Sequence, residues 1–394
     1  MISFLKEAEA IKDEIISIRR DIHEHPELGL EEKRTSDIIK KFLEKERILY
    51  SSVAGTGVCG IIKGNASGDN SKVIALRADM DALPIQEKNI CDYASKVDGK
   101  MHACGHDAHT SILLGVAKII NNNRDLFAGT VKLFFEPAEE TVGGAPIMIK
   151  EGVLENPNVD VIVGLHVTED LECGKIMVKR DVSNAASNPF KIIIKGIGGH
   201  GASPSTTVDP IVIASNVIMS LQTIISREIS PVNPAVITVG SIHGGTASNI
   251  IPEEVEISGI IRTANKEDRK YIIRRVTEIV KNTCSTMRGD SDIEIYQGYP
   301  CLYNNDFMVD MIIDVAKDII GEDNVKEKLN TSLGVESFAY FSNERPSVFY
   351  YLGTGNHSKG TDKPAHSSYF NIDEDAIPIG IALQCAIVFN YLTI

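Results

Sequence analysis

Cysteine, histidine and aspartate are concentrated in one short stretch, residues 101–109, which reads MHACGHDAH. The chain of 394 residues has only 10 histidines and 7 cysteines, yet three histidines and one cysteine fall within these nine positions. By residue type, Cys104 suits a nucleophile, half of a disulfide or a metal ligand. The rest of the sequence must decide among these three.

Further polar residues come directly after apolar runs that predict buried strands. These runs are VIAL (73–76), VKLFF (131–135) and VDVIVGL (159–165). In an open α/β sheet, ligands bind beyond the carboxyl ends of the strands, so side chains that follow different strands are expected at one edge. Together with one histidine in a loop before the last predicted helix, the residues of interest are Asp79, Asp81, Glu139, Glu140, His166 and His366.

Thiolate, imidazole and carboxylate are the usual ligands of zinc and of related divalent ions. Five candidates exceed what one four-coordinate ion needs, whereas two ions bridged by one ligand would use them all. The adjacent Glu139 is then available as the general base and acid of a hydrolase. The five predicted ligands are Cys104, His106, Glu140, His166 and His366.

Alternatives to this assignment remain open from the residues alone. A nucleophilic pair of Cys104 with a histidine is one, although it leaves three candidate ligands without a role. His357 competes with His366 for the same position. His102 and His109 are evenly balanced between support of the site and a purely structural role, and three others are interpreted as structural: His23, His25 and His243.

Composition narrows the class of protein. A net charge of −14 argues against nucleic acid or an anionic membrane as the main partner. The N-terminal MISFLKEAEAIKDEIISIRR lacks the apolar segment of a secretory signal, and no stretch is expected to span a membrane. Seven scattered cysteines do not resemble a disulfide framework. We therefore expect a cytoplasmic protein in which Cys104 is not half of a disulfide.

The order of predicted elements indicates two domains. An amphipathic helix that ends before Pro26 is followed by alternating strands and helices up to about residue 187, which is typical of an α/β fold with a mainly parallel sheet flanked by helices. Residues 188–299 instead read βαββαβ, the order of an α+β ferredoxin-like unit. The α/β pattern resumes at 300–394. The prediction is one catalytic domain of residues 1–187 and 300–394, interrupted by a smaller one.

Eight short motifs resemble the amidohydrolase branch of the M20 metallopeptidase family, which includes N-acyl-amino-acid deacylases, hippurate hydrolases and indole-acetyl-amino-acid hydrolases. They occur in the family's order along most of the chain. The motifs are RADMDALP, MHACGHDAH, FFEPAEE, GLHV, GGHGASP, SNIIP, SGIIRT and HSSYF.

The resemblance implies a role for each matching residue. Cys104 would be the thiolate that bridges two divalent ions (Zn, Mn, Co or Ni), with the other four predicted ligands completing the sites, Glu139 as base and acid, and Asp81 steadying the site. The inserted domain would be a lid and dimerisation domain. In it, His200 would stabilise the oxyanion, and Asn249 with Arg262 would hold the substrate's α-carboxylate.

The expected activity is hydrolysis of the amide of an N-acyl-L-amino acid, a small-molecule substrate, by a homodimer or higher homo-oligomer. An M20-type dipeptidase or carboxypeptidase is the alternative within the class, and a non-catalytic binding protein that keeps the fold is the alternative outside it. Three positions depart from the family pattern without touching a ligand, and they bear on substrate preference: Ser205, Ser337 and the segment Gly259-Ile260-Ile261-Arg262.

Overall fold

The computed structural model describes residues 3–393. These residues cluster into two compact units. The first consists of residues up to Ser183, Tyr303–Asn330 and the chain from Tyr340 onwards, and the second of Asn184–Leu302 and Thr331–Ala339. The segment Thr331–Ala339 thus clusters with the second unit, whereas the sequence prediction assigned it to the catalytic domain.

The elements have the following bounds. The helices are α1 (Phe4–Ala10), α2 (Lys12–Glu24), α3 (Lys33–Lys45), α4 (His106–Asn122), α5 (Ala145–Lys150), α6 (Pro210–Thr223), α7 (Lys266–Thr286), α8 (Asp306–Ile320), α9 (Phe338–Glu344) and α10 (Ala376–Thr393). The strands are β1 (Leu49–Val53), β2 (Gly57–Lys63), β3 (Val73–Asp79), β4 (Thr130–Glu136), β5 (Val161–Glu172), β6 (Ile176–Val178), β7 (Asp181–Asn184), β8 (Ala186–Lys195), β9 (Gly199–His200), β10 (Ala235–Gly244), β11 (Ile250–Ile251), β12 (Glu254–Thr263), β13 (Asp290–Ile295), β14 (Leu302–Asn304), β15 (Val325–Glu327) and β16 (Ser347–Gly355).

An eight-stranded mixed sheet forms the centre of the first unit, in the order β1-β2-β4-β3-β5-β16-β6-β15. Its four central strands, β4, β3, β5 and β16, run parallel to one another. Every residue of β3 and β4 is buried, which explains why their apolar residues occur in the unbroken runs VIAL and LFF rather than at alternate positions. Helices α4 and α10 pack on each other and on β3. The fold is therefore α/β with a mainly parallel central sheet, as the sequence predicts.

Two local predictions for this unit were wrong. The first predicted helix is divided at Ile11 into α1 and α2. His166 does not follow its strand but lies inside β5, which continues to Glu172. The cause is the partner strand, because β16 stays paired with β5 as far as Gly355 and supplies backbone hydrogen bonds beyond the apolar run.

Two segments are long and apolar enough to cross a membrane by length and composition, contrary to the sequence expectation. They are Pro210–Glu228 and α10. Two thirds of the apolar window in α10 is buried, as in the core helix of a soluble domain, compared with one third of the window in Pro210–Glu228. Length and composition alone are thus weak evidence for a span.

The second unit has its own sheet and its own core. Its four strands run antiparallel in the order β10-β12-β8-β13, and α6 and α7 pack against them. Along the chain the elements occur as βαββαβ. Apolar residues from the strands and both helices form one buried cluster, which includes Ile192, Ile257 and Val276. This unit therefore has the internal core expected of a domain.

Candidate metal centre

The end of β3 supplies two buried carboxylates, Asp79 and Asp81. Asp81 Oδ1 accepts a hydrogen bond from the backbone N–H of Glu139, and Oδ2 accepts one from Glu140, both at 3.1 Å. Oδ1 also lies 3.2 Å from Nδ1 of His106. A single carboxylate therefore joins the segments that follow β3 and β4 to the start of α4.

Cys104 and His106 stand on either side of a tight turn into α4. Gly105 has a φ of 86°, in the left-handed region that favours glycine. A Cβ atom at this position would lie 2.3 Å from Cγ2 of Val167. Glycine is thus required at position 105 both for the backbone conformation and for the close approach of β5. The turn directs the thiol of Cys104 and the imidazole of His106 towards one place.

Five side chains from four segments converge there. Sγ of Cys104 lies 3.5 Å from Nε2 of His166, and Oε1 of Glu140 lies 3.1 Å from Nε2 of His366. The His366 backbone N–H donates to the carbonyl of Ala103 at 2.8 Å, which holds the last loop against the Cys104 turn. The structure brings all five predicted ligands together.

The donor atoms form two sets that share Cys104. One set is Cys104, His106 and His166, and the other is Cys104, Glu140 and His366; the ligand atoms within each set lie within 4.8 Å of one another. The carboxylate of Glu139 reaches the same place, in a set with His106 and Glu140. Two adjacent groups of soft and borderline donors with one common thiol match a pair of divalent transition ions.

Hydrogen bonding around the two central imidazoles leaves nitrogen lone pairs directed into the cluster. Nδ1 of His166 lies 2.6 Å from the carbonyl of Val167 and must carry the proton, which leaves Nε2 as the free lone pair. Nδ1 of His106 faces Asp81, and its buried Nε2 makes no hydrogen bond within residues 3–393. Burial, reinforced by Glu140, raises the pKa of the Cys104 thiol well above its usual value. Bound divalent cations fit these residues, because they would use the lone pairs and favour the thiolate.

A buried chain of contacts supports the strand that carries His166. Nδ1 of His109 lies 2.6 Å from Oδ1 of Asp79, and its Nε2 accepts a hydrogen bond from the Val167 backbone N–H at 2.8 Å. Arg77 pairs with Asp79 at 2.7 Å. Burial would raise the pKa of Asp79, but His106, His109 and Arg77 hold it well below its usual value. His109 therefore supports the site, a question that the sequence left open.

A second buried ionic cluster lies behind the start of α4. Nε of Arg19 and Nδ1 of His23 each lie 2.7 Å from Oδ2 of Asp107, and all three side chains are fully buried. The sequence indicates only a structural role for His23 and does not predict its contact with Asp107, the residue after the proposed ligand His106. His102 is also buried, and burial lowers its pKa to about 3, so it is neutral.

Removing the cation of this cluster should destabilise the protein strongly. We expect Arg19→Met to lower the free energy of unfolding by about 3–5 kcal/mol, because it removes the guanidinium from the buried Asp107 carboxylate and leaves only His23 beside it. Urea unfolding measures the change. Arg20→Met is the matched control, since Arg20 pairs with Glu374 at a half-exposed position and should cost less than about 1 kcal/mol. Equal losses for the two variants would contradict this account of the cluster.

His357 and His366 compete for the same predicted ligand position, and their surroundings distinguish them. The side chain of His357 is 95% exposed and pairs with Asp362 at 2.5 Å. His366 instead contributes to the ligand cluster and has a φ of 64°, a strained value for a residue with a side chain.

All seven cysteines are free, so the disulfide interpretation of Cys104 was correctly set aside.

The other three predicted site residues lie in the second unit. His200 in β9 is paired with Ile250 of β11, and the backbone N–H of Gly201 donates to the carbonyl of Asn249 at 2.8 Å, so His200 and Asn249 are close neighbours. Arg262 lies in β12, opposite Val236 and Ser187. Its Nη1 is buried and makes no hydrogen bond among the described residues, and burial lowers the pKa of the guanidinium.

The chain is similar to known proteins in family, sequence and structure. The model of "Peptidase family M20/M25/M40" matches residues 75–390. The chain is 38% identical over 385 residues to IAA-amino acid hydrolase ILR1-like 4 of Arabidopsis thaliana, covering 96% of this chain and 86% of the relative. It is 37% identical over 386 residues to Thermostable carboxypeptidase 2 of Saccharolobus solfataricus, covering 97% and 96%.

A bacterial relative and a solved structure extend the comparison. The chain is 37% identical over 372 residues to N-acetylcysteine deacetylase of Bacillus subtilis, covering 94% of each chain. A crystal structure of a dinuclear metal-binding peptidase of the M20 family, also from Bacillus subtilis, superposes with a TM-score of 0.85 at 33% identity and covers 98% of this chain and 99% of that one.

Proposed function

Because the chain belongs to peptidase family M20/M25/M40, we propose that it is a metal-dependent amidohydrolase that cleaves N-acyl-L-amino acids into a carboxylic acid and a free amino acid. The observation that carries the proposal is the pair of ligand sets sharing Cys104, with the carboxylate of Glu139 beside them. A binding protein without turnover would have no need for a second buried glutamate next to Glu140 at this place.

The bound ions would supply a water of lowered pKa and polarise the acyl carbonyl. Glu139 performs the proton transfers: it takes a proton from the water that attacks the carbonyl carbon, and it delivers that proton to the nitrogen as the C–N bond breaks. It is 7% exposed, its backbone N–H is held by Asp81, and its carboxylate lies in one set with His106 and Glu140, beside the proposed ligands. Cys104, His106, Glu140, His166 and His366 are the proposed ligands of two ions, drawn from Zn, Mn, Co or Ni.

Substrate recognition is assigned to the second unit, which we propose is a ferredoxin-like lid and dimerisation domain of residues 188–299. Nδ1 of His200 accepts a hydrogen bond from the Ala202 N–H at 3.0 Å, so the neutral ring carries its proton on Nε2. That N–H is a suitable donor to the oxyanion of the tetrahedral intermediate. Arg262, with an unpaired Nη1, and Asn249 would bind the α-carboxylate. Residues 1–187 and 300–394, without the segment Thr331–Ala339, form the proposed catalytic domain of a cytoplasmic homodimer or higher homo-oligomer.

The experiment that tests the proposal is release of free amino acid from N-acetyl-methionine by the purified protein. We expect activity before chelation, loss after metal is removed, and recovery on addition of Mn²⁺ or Zn²⁺. Metal content is measured in each state. Unchanged turnover by protein shown to be free of metal would refute the dinuclear mechanism and favour the alternative in which the Cys104 thiol is the nucleophile.

Peptide cleavage is the second candidate, and the similarity to a relative named as a carboxypeptidase favours it. A panel that compares N-acetyl-amino acids with dipeptides and longer peptides ending in the same residue separates the two. We expect the larger kcat/KM for the acyl amino acids. A larger value for the peptides would assign the chain to the peptidase alternative.

A further inference from the structure

The catalytic segment after β4 begins with a strained turn. Ala138, which directly precedes Glu139, has a φ of 57° although it carries a Cβ atom. This left-handed conformation costs roughly 1–2 kcal/mol for a residue other than glycine, so neighbouring groups must hold it in place. From within the segment, the carbonyl of Ala138 accepts a hydrogen bond from the Gly143 N–H at 2.9 Å.

From outside the segment, Glu32 binds the same residue. Oε1 of Glu32 accepts a hydrogen bond from the Ala138 N–H at 2.8 Å, and Oε2 accepts one from the hydroxyl of Thr56 at 2.6 Å. The Glu32 side chain is completely buried, and burial raises the pKa of its carboxyl group. Burying a carboxylate costs free energy. A role is therefore expected for the buried Glu32 carboxylate, which accepts a hydrogen bond from the backbone of a strained turn.

Glu32 is free for this contact because another residue caps the neighbouring helix. Glu32 precedes α3, where an acidic side chain often accepts from the first amide groups. Here Glu27 takes that role, with hydrogen bonds at 2.9 Å from the backbone N–H groups of Arg34 and Thr35. The segment PELGLEE (26–32) therefore supplies one glutamate to the helix and a second one to the turn.

The same segment also approaches the turn through its backbone. A Cβ atom at Gly29 would lie 2.9 Å from Cα of Ala138 and 2.6 Å from Oγ1 of Thr141. No side chain fits between the two segments at this point without a shift. PELGLEE thus packs directly beneath the residues that precede and follow Glu139 and Glu140.

We propose that Glu32 is a positioning residue, which holds the Ala138 turn so that the carboxylate of Glu139 is aligned for proton transfer. The inference rests on the proposed function, in which Glu139 is the base. Asp81 separately holds the backbone N–H groups of Glu139 and Glu140. Both glutamates keep these hydrogen bonds when the Glu32 contact is lost. The loss acts through Ala138, which is directly bonded to Glu139 and one residue further from the ligand Glu140, so the base is the group that it misaligns.

The test compares substitutions at Glu32 that differ in hydrogen bonding but not in size. Glu32→Met keeps the length of the side chain without an acceptor, and we expect kcat to fall about 10- to 100-fold, with metal content and KM near those of the wild type. Glu32→Gln keeps an acceptor for the Ala138 N–H and should retain kcat within about threefold. Thr56→Val is the matched control, since it removes only the other hydrogen bond of Glu32 and should leave kcat unchanged.

A double variant separates positioning of Glu139 from a general structural role. In the Glu139→Gln background, Glu32→Met should cause no additional loss of kcat, because the base that it positions is already absent. An additional loss equal to that in the wild-type background would overturn the inference, as would a wild-type kcat for Glu32→Met itself. Where Glu32→Met does not fold, Glu32→Asp, which is one methylene too short to reach Ala138, replaces it under the same criteria.

Failure of this inference and failure of the proposed function give different results. If Glu139→Gln keeps full turnover, the assigned base is wrong and the role of Glu32 falls with it, whereas the proposed hydrolysis itself still stands. If Glu139→Gln is inactive and Glu32→Met is fully active, the proposed function stands and only the role of Glu32 is rejected.

Discussion

Replacement of Glu139 by glutamine is expected to lower kcat by roughly 10²–10⁴-fold, the usual contribution of a general acid and base. Glutamine has the same size as glutamate but cannot take a proton from the attacking water. The backbone hydrogen bond from residue 139 to Asp81 does not involve the replaced atoms, so the ligands should stay in place. We therefore expect both metal ions and the KM for substrate to be retained, as measured by elemental analysis and steady-state kinetics.

The neighbouring glutamate provides the control for this prediction. Glu140→Gln changes the adjacent residue in the same way, but Glu140 belongs to the ligand set with Cys104 and His366. This variant should lose metal, and added metal should restore part of its activity. Equal metal loss in the two variants, or full turnover by Glu139→Gln, would show that the roles of the two glutamates are wrongly divided.

The convergence of the proposed ligands was predictable, because cysteine and histidine are rare in this chain and the positions of the five residues are marked by local pattern. Cys104 and His106 flank a glycine before an apolar helix, and Glu140 follows the largely apolar run VKLFF. Side chains that follow parallel strands lie at one edge of the sheet, and this rule was sufficient to predict that these residues are close together. His166 was predicted at the end of its strand but lies within β5, which continues past it, and it still joins the ligand cluster.

The contacts that support the ligands could not be predicted, because their partners are far apart in the chain. Glu32 binds the backbone of Ala138, 106 residues away, and Arg19 pairs with Asp107. Nothing local distinguishes such a residue from a solvated glutamate or arginine on a helix, since burial is decided by how the elements pack. Strain at Ala138 is likewise invisible in the sequence, where alanine predicts no unusual backbone conformation.

His109 shows the limit of interpreting a single residue. The sequence suggested an even balance between support and structure, and the structure shows a hydrogen bond on each ring nitrogen, to Asp79 and to Val167. Both partners come from neighbouring parallel strands, so the contact depends on strand order in the sheet. Strand order follows from the whole fold and cannot be deduced from the spacing within MHACGHDAH.

Replacement of Cys104 by alanine is expected to remove metal from both sites at once and to abolish turnover. Cys104 is the only one of the proposed ligands that belongs to both three-residue sets. Without its thiolate, each set keeps only two of its donors, fewer than the three protein ligands that catalytic zinc sites ordinarily use. The measurements are metal per chain by elemental analysis, and release of amino acid from N-acetyl-methionine with excess Mn²⁺ or Zn²⁺.

Two variants show whether the loss is due to the shared position rather than to loss of any thiol. Cys173→Ala changes a free, half-buried cysteine outside the ligand sets and should keep metal and activity. Cys104→Asp restores an anionic donor that can bridge two ions, and it should recover more metal than Cys104→Ala does. A nucleophilic thiol would behave differently, because Cys104→Ala would then lose activity with its metal content intact. That outcome would reject the bridging role, and retention of a single ion by Cys104→Ala would assign the cysteine to one site only.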